Sequence, residues 1–326
     1  MEYRFSLDRT AKKFLCPNCH KKRFVKYIVL EADRYLRDYV GRCDRETNCG
    51  YHYTPKQLFQ DEPQLKQEYD KTTFNGRLFK PIEVAVTPDF ITPALVNQSM
   101  KKYEDNSFIN FLRRLFGTTV AQQLASKFRL GTSKKWQSRS VIFWQIDTNL
   151  QARSGKIMLY NEKTGKRMKI NDRACIDWVH SILIRNNQLV NFQLSQCLFG
   201  LHQINTAPKD KVIAIVESEK TAILMTAIIP QFIWLACGSA SNLKLELFHE
   251  LIDRQLMLFP DLGCYKKWQE KAYELQQINP TIWVSDLLKN KATAEDKANG
   301  LDLADFLIKT DSQTGLALSN NHYPLY

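Results

Sequence analysis

Val212-Ile213-Ala214-Ile215-Val216-Glu217-Ser218-Glu219-Lys220-Thr221-Ala222 is the stretch on which the fold turns, with five apolar residues in a row, then acids, then helix-forming composition. A strand with one wet face would alternate, so an unbroken apolar run reads as a strand covered on both faces. The pattern recurs. Apolar runs stand at 232–236, 256–259 and 281–284, and the segments 220–229, 243–252 and 265–277 between them predict helices. Strands alternating with helices indicate an α/β parallel sheet with helices on both faces, whose ligands bind at the carboxyl ends of the strands. Acids stand at three of those ends: Glu217 after Val216, Asp261 after Phe259-Pro260, and Asp286 after Val284-Ser285. One alone would be an ordinary strand-end or cap residue. Three in succession point to a divalent cation, which prefers oxygen ligands and bridges phosphates.

Upstream the pattern differs. Phe108, Phe111, Leu112 and Leu115 fall at helical spacing, Gly117 interrupts them, and Val120, Leu124 and Phe128 resume, which predicts two helices over 104–128. Residues 141–146 and 156–160 predict strands, and a basic turn follows at 161–167. This middle region reads as a mixed α+β subdomain with basic loops. From Asp61 to about Pro93 the chain is polar, with Pro63, Pro81, Pro88 and Pro93 and little periodicity, so a linker or extended arm is expected. The expected organisation is therefore a multi-domain α/β protein with boundaries at 1–60, 61–100, 101–210 and 211–326.

The first sixty residues carry Cys16-x2-Cys19 and Cys43-x5-Cys49, with alternating basic and apolar residues at 22–28. Two such pairs supply four thiolates for one closed tetrahedral zinc site. The five-residue second spacing leaves His20 or His52 as possible substitutes for a sulfur. A closed site has no open position for catalysis, so its expected role is to fold a small ribbon that turns Lys21, Lys22, Arg23 and Lys26 toward a phosphate backbone. Cys175, Cys197, Cys237 and Cys264 are isolated and read as core.

Composition excludes several classes. With 44% hydrophobic residues in 326, disorder is not the main state. No apolar stretch approaches a membrane span, and no signal peptide is evident, so a soluble cytoplasmic protein with no membrane partner is expected. The net charge of +12 is uneven: +6 over 1–60, −2 over 61–100, +11 over 101–210 and −3 over 211–326. A basic first half ahead of an acidic last third suits a polyanion binder with a separate cation-holding site.

The segment 216–222, with 256–261 ahead of a helix containing Trp268, resembles the Toprim fold shared by bacterial primases, primase-helicases and topoisomerases. Residues 141–146, Gly155-Lys156-Ile157, Gly165-Lys166-Arg167 and Leu198-Phe199-Gly200-Leu201 are similar to the basic subdomain that precedes Toprim in bacterial primases, and the ribbon is similar to their zinc module. The order of the three is most similar to Toprim-containing primase-like proteins of bacterial mobile elements. The resemblance implies that Glu217 acts in acid–base chemistry or holds metal, and that Asp261 is the first acid of an Asp-x-Asp motif. Gly263 stands where the second acid should be, and Thr221 where many primases carry another. Asp302 and Asp305 resemble the late acidic motif and would restore magnesium or manganese ligands, or else they cap a helix.

Arg153, Lys156, Lys166, Arg167 and Lys169 resemble the surface that holds template and nucleotide, with Tyr160 available to stack on an unpaired base and Trp144 reading as core. The expected activity is metal-dependent nucleotidyl transfer that makes short primers on single-stranded DNA. The alternatives are a Toprim nuclease and a non-catalytic DNA-binding or recruitment factor. No helicase P-loop is present, so a separate helicase or relaxase is the expected partner.

Overall fold

The apolar runs of the last third form strands Ile233–Ala236, Ile213–Val216, Leu256–Leu258 and Ile282–Val284, in that spatial order and all parallel. Successive side chains point to opposite faces, so the first three strands feed two cores, whereas Ile282–Val284 leaves Trp283 exposed on one face. Ala214, Val216, Trp234 and Met257 enter one core with Ala222 and Met225 of helix Glu219–Ile228 and Leu303 and Leu307 of helix Leu303–Thr314. Ile213, Ile215, Leu235 and Leu258 enter the other with Trp268 and Leu275 of helix Tyr265–Leu275. In this computed structural model the described residues are 5–8, 10, 12–29, 34–45, 48–66, 88–299 and 301–314. The chain divides into two compact units, 1–84 and 85–326.

The helix expected over 243–252 is instead two short 3-10 turns, Leu245–Leu247 and His249–Leu251. Their N–H groups reach back only three residues, as in Leu247 to Lys244 at 3.0 Å. Asn279 donates to the carbonyls of Leu251 and Arg254, both at 2.8 Å, and ties down the turn that follows them.

The middle region folds as an antiparallel sheet in the order Ile176–Trp178, Ala152–Met158, Ser140–Ile146, Gly131–Ser133. Its second strand begins at Ala152, earlier than the apolar pattern indicated, because Arg153, Ser154 and Gly155 form strand without adding to that pattern. Val141 and Phe143 face the same core as the parallel sheet's helix, whereas Ile142, Trp144 and Ile146 face a second cluster. One apolar core therefore joins both sheets within the second unit. Phe143 lies at its centre, with ring centroids 5.4 Å from Phe108, 5.5 Å from Phe199 and 6.1 Å from Tyr160. Phe199 also pairs with Ala236 in both directions, at 2.9 and 3.1 Å, along the edge of the parallel sheet.

Helix Ser107–Lys127 is capped by Asn106, whose side chain accepts from Phe108 N and Ile109 N at 3.1 and 3.2 Å. It breaks at Gly117, whose φ of 81° takes a side chain out of the ordinary range. Within the expected linker, residues 67–87, Pro81 among them, lie outside the described residues. Pro93–Ser99 is a helix there, with Pro93 in its first turn where the missing N–H costs nothing.

In the first unit, Lys22–Val29 is the central strand of an antiparallel sheet with Phe5–Leu7, Phe14–Leu15, Arg34–Tyr35 and Gly41–Cys43, and His52–Tyr53 pairs beyond Gly41–Cys43. Helix Pro55–Asp61 follows a Thr54–Gln57 capping box. The apolar groups are few: Cys16, Phe24 and Cys43 form one cluster, and Val29, Leu36, Val40 and Leu58 another. So small a core calls for a further cross-link.

Replacing Phe143 with Ala should lower the stability of the second unit by about 3–5 kcal/mol, through lost burial and the cavity left behind, as measured by denaturant unfolding followed at Trp fluorescence.

Candidate functional site

The four ribbon cysteines converge. Cys16 and Cys49 Sγ lie 3.7 Å apart, Cys19 and Cys43 Sγ 3.8 Å apart, and all four sulfurs lie within 4.8 Å of one another. A zinc ion with Zn–S bonds of about 2.3 Å requires sulfur–sulfur edges of about 3.8 Å, so the set fits zinc. His20 is exposed and His52 stacks on Tyr27 while bonding its hydroxyl at 3.0 Å, so neither imidazole belongs to this sulfur group. The Lys21 backbone N–H helps lower the Cys19 thiol to about 6, whereas burial raises Cys43 to about 12. A metal cation would hold both as thiolates. Lys22 and Arg23 are exposed on the central strand. Lys26 is buried against Asp38 and over the Phe14 ring at 4.0 Å, so it does not face a phosphate backbone.

In the second unit a pocket of about 240 Å³ opens at the carboxyl ends of Ile213–Val216 and Leu256–Leu258. Glu217, Asp261, Asp302 and Asp305 all line it, together with Lys166 and Arg167. Those two basic residues arrive on a rigid turn. Asn161 Oδ1 accepts from Lys163 N and Thr164 N at 2.9 and 3.0 Å, and Gly165, at φ 64°, sits where a Cβ would lie 2.3 Å from the Phe111 ring. Only glycine fits that approach.

Glu217 and Asp261 hydrogen-bond to each other, and burial pushes both carboxyls up. Asp261 is pushed to about 8, by burial first and then by Glu217 and Asp302. Asp261 is therefore the protonated partner that donates, and Glu217 the carboxylate that accepts, with a further bond from the Ala240 backbone N–H. Burial followed by the Asp302 charge also raises Asp305.

Three arrangements were not visible in the sequence. Lys220 Nζ lies 2.8 Å from Asp305 and 3.5 Å from Asp302, an internal cation for the late acids. Thr221 Oγ1 donates to Asp302 at 2.9 Å, so the residue that replaces an acid holds one. Asp302 also accepts from Asp305 N at 2.9 Å, which makes it a helix cap and a pocket residue at once. Glu219, 2% exposed, receives Lys156 at 3.1 Å on both oxygens. Lys156 also donates to Gly238 O at 3.1 Å, so its ammonium is committed within the protein. The helix begins at Glu219, and Glu219 and Lys220 both border the pocket, each already paired with an oppositely charged side chain.

Of the remaining predicted site residues, Tyr160 also borders the pocket, and the others lie elsewhere. Arg153 pairs with Asp147 at 2.7 Å and stands over the Phe90 ring, and Lys169 is exposed on a short hairpin strand; neither lines the acidic pocket. Tyr160 is 4% exposed among Phe108 and Phe143, and Trp144 is fully buried with its indole N–H on Ser99 Oγ at 2.9 Å, so neither can stack on a base. Asp286 precedes helix Leu287–Lys291 and its carboxylate accepts from the Asn290 side-chain amide at 2.7 Å, outside the acidic pocket. Gly263, at φ 86°, lies in open space outside the pocket lining, where a side chain would be strained. Restoring an acid there therefore gains little. Cys175, Cys197 and Cys237 are buried; Cys264 is half-buried.

The chain is thus a mixed α/β multi-domain protein with an amino-terminal zinc ribbon. A family described as a putative zinc β-ribbon finger matches residues 3–64, and a domain family of unknown function, DUF6371, matches residues 106–262. No curated protein matches the chain. Among solved structures, the zinc-binding and RNA polymerase domains of the Aquifex aeolicus primase are 13% identical, with 94% of this chain and 84% of that one covered and a TM-score of 0.40. The E. coli primase catalytic core is 12% identical, covering 68% and 82%, with a TM-score of 0.37. The primase fragment of the bacteriophage T7 primase-helicase protein is 14% identical, covering 55% and 70%, with a TM-score of 0.33. Among the described residues, no helix is long and apolar enough to cross a membrane.

Purified protein should contain one zinc equivalent, and changing Cys16 and Cys19 together to Ser should release it, as read by metal analysis. Full zinc content in that variant would exclude the cysteine site. The second expectation concerns pH. An unfolded Asp ionises near about 4, whereas folded Asp261 keeps its proton up to about 8. The folded state binds more protons between those values, so stability should fall as pH rises through that window in magnesium-free buffer. Asp261→Asn should flatten this dependence, as read from Tm against pH.

Proposed function

We propose that this chain is a primase-like DNA-binding protein that joins ribonucleotides into short primers on single-stranded DNA, with magnesium or manganese at the acidic pocket. The observation that carries the reading is the convergence of Glu217 and Asp261 at neighbouring parallel strand ends, in one pocket with Lys166 and Arg167. Two carboxyls forced together are unfavourable when empty and suited to a divalent cation, which neutralises phosphate charge and orients an attacking hydroxyl. Glu217 and Asp261 are the ligands the pocket leaves to such an ion, because Lys220 already balances Asp302 and Asp305.

Lys166 and Arg167 hold the triphosphate or the template backbone. Glu217 accepts the proton of the attacking 3′-hydroxyl as its oxygen bonds to the α-phosphorus, and pyrophosphate leaves with the electrons of the broken P–O bond. The ribbon's exposed Lys22 and Arg23 contact the template, and Lys169 lies on a second basic surface. The resemblance of its sequence motifs to those of Toprim primases of mobile elements supports a role in replication of such an element, beside a separate helicase or relaxase. A non-catalytic DNA-binding role is the second reading. It is favoured by Lys220, whose ammonium stands where further metal ligands would be needed.

With labelled ribonucleotides, single-stranded DNA and magnesium, wild type should yield short products on a denaturing gel, and Glu217→Gln should abolish them with little change in fold or DNA affinity. Absence of both synthesis and cleavage under magnesium and manganese would leave the non-catalytic reading. Changing Lys166 and Arg167 to Glu should weaken single-strand binding and flatten its log–log salt slope by about 0.7 per lost phosphate contact. An unchanged slope would make them a solvated turn.

A further inference from the structure

A second pocket, of about 370 Å³, opens past the carboxyl ends of strands Leu256–Leu258 and Ile282–Val284, and Asp261 is the one residue it shares with the acidic pocket. The charge of its other lining residues is of the opposite sign. Lys266, Lys289 and Lys297 border it, and none of the three has an ion pair among the described residues. Lys289 Nζ stands 4.5 Å from the centre of the Tyr265 ring, which holds one ammonium at the wall without neutralising it. Asp261, the only acid in the lining, is already hydrogen-bonded to Glu217. Three cations from the helices Tyr265–Leu275, Leu287–Lys291 and Ala294–Asn299 therefore meet in one concavity with no carboxylate left over to balance them. Their mutual repulsion is relieved when an anion enters.

Neutral donors are unspent in the same place. Ser285, 7% exposed, lines the pocket; its Oγ accepts from Leu287 N at 3.3 Å, and its own proton has no acceptor among the described residues. A buried hydroxyl in that state still has a hydrogen bond to give. Tyr265 and Lys266 stand in the first turn of an eleven-residue helix, where N–H groups have no partner inside the helix, and the preceding Cys264 supplies no side-chain cap. These donors and the positive end of the helix reinforce the lysines. A single phosphate, at about −2, leaves part of that excess unmet. Two or three linked phosphoryl groups carry more charge and reach further, and so match it better.

We infer that this pocket binds a condensed phosphate group, a diphosphate or triphosphate, carried either by free pyrophosphate or by the tail of a nucleotide. Lys266, Lys289 and Lys297 pair with its oxygens, and the Ser285 hydroxyl donates to one of them. The inference rests on the proposed reaction for its purpose, since a diphosphate is what that reaction releases beside Asp261. The binding itself needs neither turnover nor a divalent ion, so its failure is read separately from a failure to make primers.

The test is calorimetric titration of the full zinc-loaded chain in magnesium-free buffer with pyrophosphate, tripolyphosphate, ATP, GTP, AMP and inorganic phosphate. Pyrophosphate or tripolyphosphate should bind about tenfold or more tighter than inorganic phosphate, a difference of about 1.4 kcal/mol. Lys289→Gln combined with Lys297→Gln should weaken that binding about tenfold or more, and Ser285→Ala about threefold or more. Both lysines are exposed and without ion pairs, so the double variant should keep the wild-type Tm, which separates lost binding from lost fold. Changing Lys166 and Arg167 to Gln should leave the affinity within about twofold, as expected of independent sites. ATP and GTP distinguish the source. Affinities equal to that of tripolyphosphate mean that the phosphate group alone is read and free pyrophosphate is the occupant, whereas tighter binding means a nucleotide whose base lies against Tyr265 and Leu288. The inference is overturned if no condensed phosphate binds at millimolar concentration, or if inorganic phosphate or AMP binds as tightly. It is equally overturned if the Lys289 and Lys297 variant keeps wild-type affinity, whether or not the Lys166 and Arg167 variant loses it.

Discussion

The ion pair between Lys156 and Glu219 ties the second unit together at its most sensitive point. Lys156 comes from the antiparallel sheet and Glu219 from the first turn of the helix that covers the parallel sheet, and the carboxylate is almost wholly out of water. Removing either partner would strand a buried charge, a loss of about 3–5 kcal/mol. The third bond from Lys156, to Gly238 O, fixes the loop whose Ala240 N–H reaches Glu217. One ammonium thereby aligns the two sheets and the loop that completes the acidic pocket.

Around that pair the pocket concentrates more negative charge than burial tolerates, and the chain answers each carboxyl differently. Glu217 and Asp261 share a proton. Asp302 and Asp305 face Lys220, itself raised because those two acids outweigh its burial. Lys166 and Arg167 join the same lining on a turn whose glycine packs against Phe111. The site is thus preorganised by fixed charges rather than by flexible ones, and the helix capped by Asp302 carries part of it.

The ribbon obeys a different economy. Its apolar clusters are too small to hold six short strands by burial alone, and the four sulfurs at tetrahedral spacing supply the missing constraint. Metal and fold are coupled there, whereas in the second unit the fold is complete in apolar terms and a divalent ion would answer only local charge.

What the sequence determined by itself was whatever depends on near neighbours. Unbroken apolar runs set the parallel strands, because a strand buried on both faces has no polar position; the break at Gly117 and the cysteine spacings are local in the same way. The segment 243–252 behaves conversely: its apolar spacing suits a helix, yet its N–H groups bond three residues back, as Leu247 to Lys244 and Leu251 to Phe248 do, and Asn279, far along the chain, ties the turn that follows. Charge pairing was equally invisible. Lys156 and Arg153 look alike in sequence, yet one is committed to Glu219 and the other to Asp147, and Lys220 meets acids more than eighty positions away. The gathering of Lys266, Lys289 and Lys297 around Ser285 leaves no trace in composition or periodicity. Only tertiary structure decides which polar atom finds a partner, because desolvation is imposed by the whole surrounding fold and not by the residue's own neighbours in the chain.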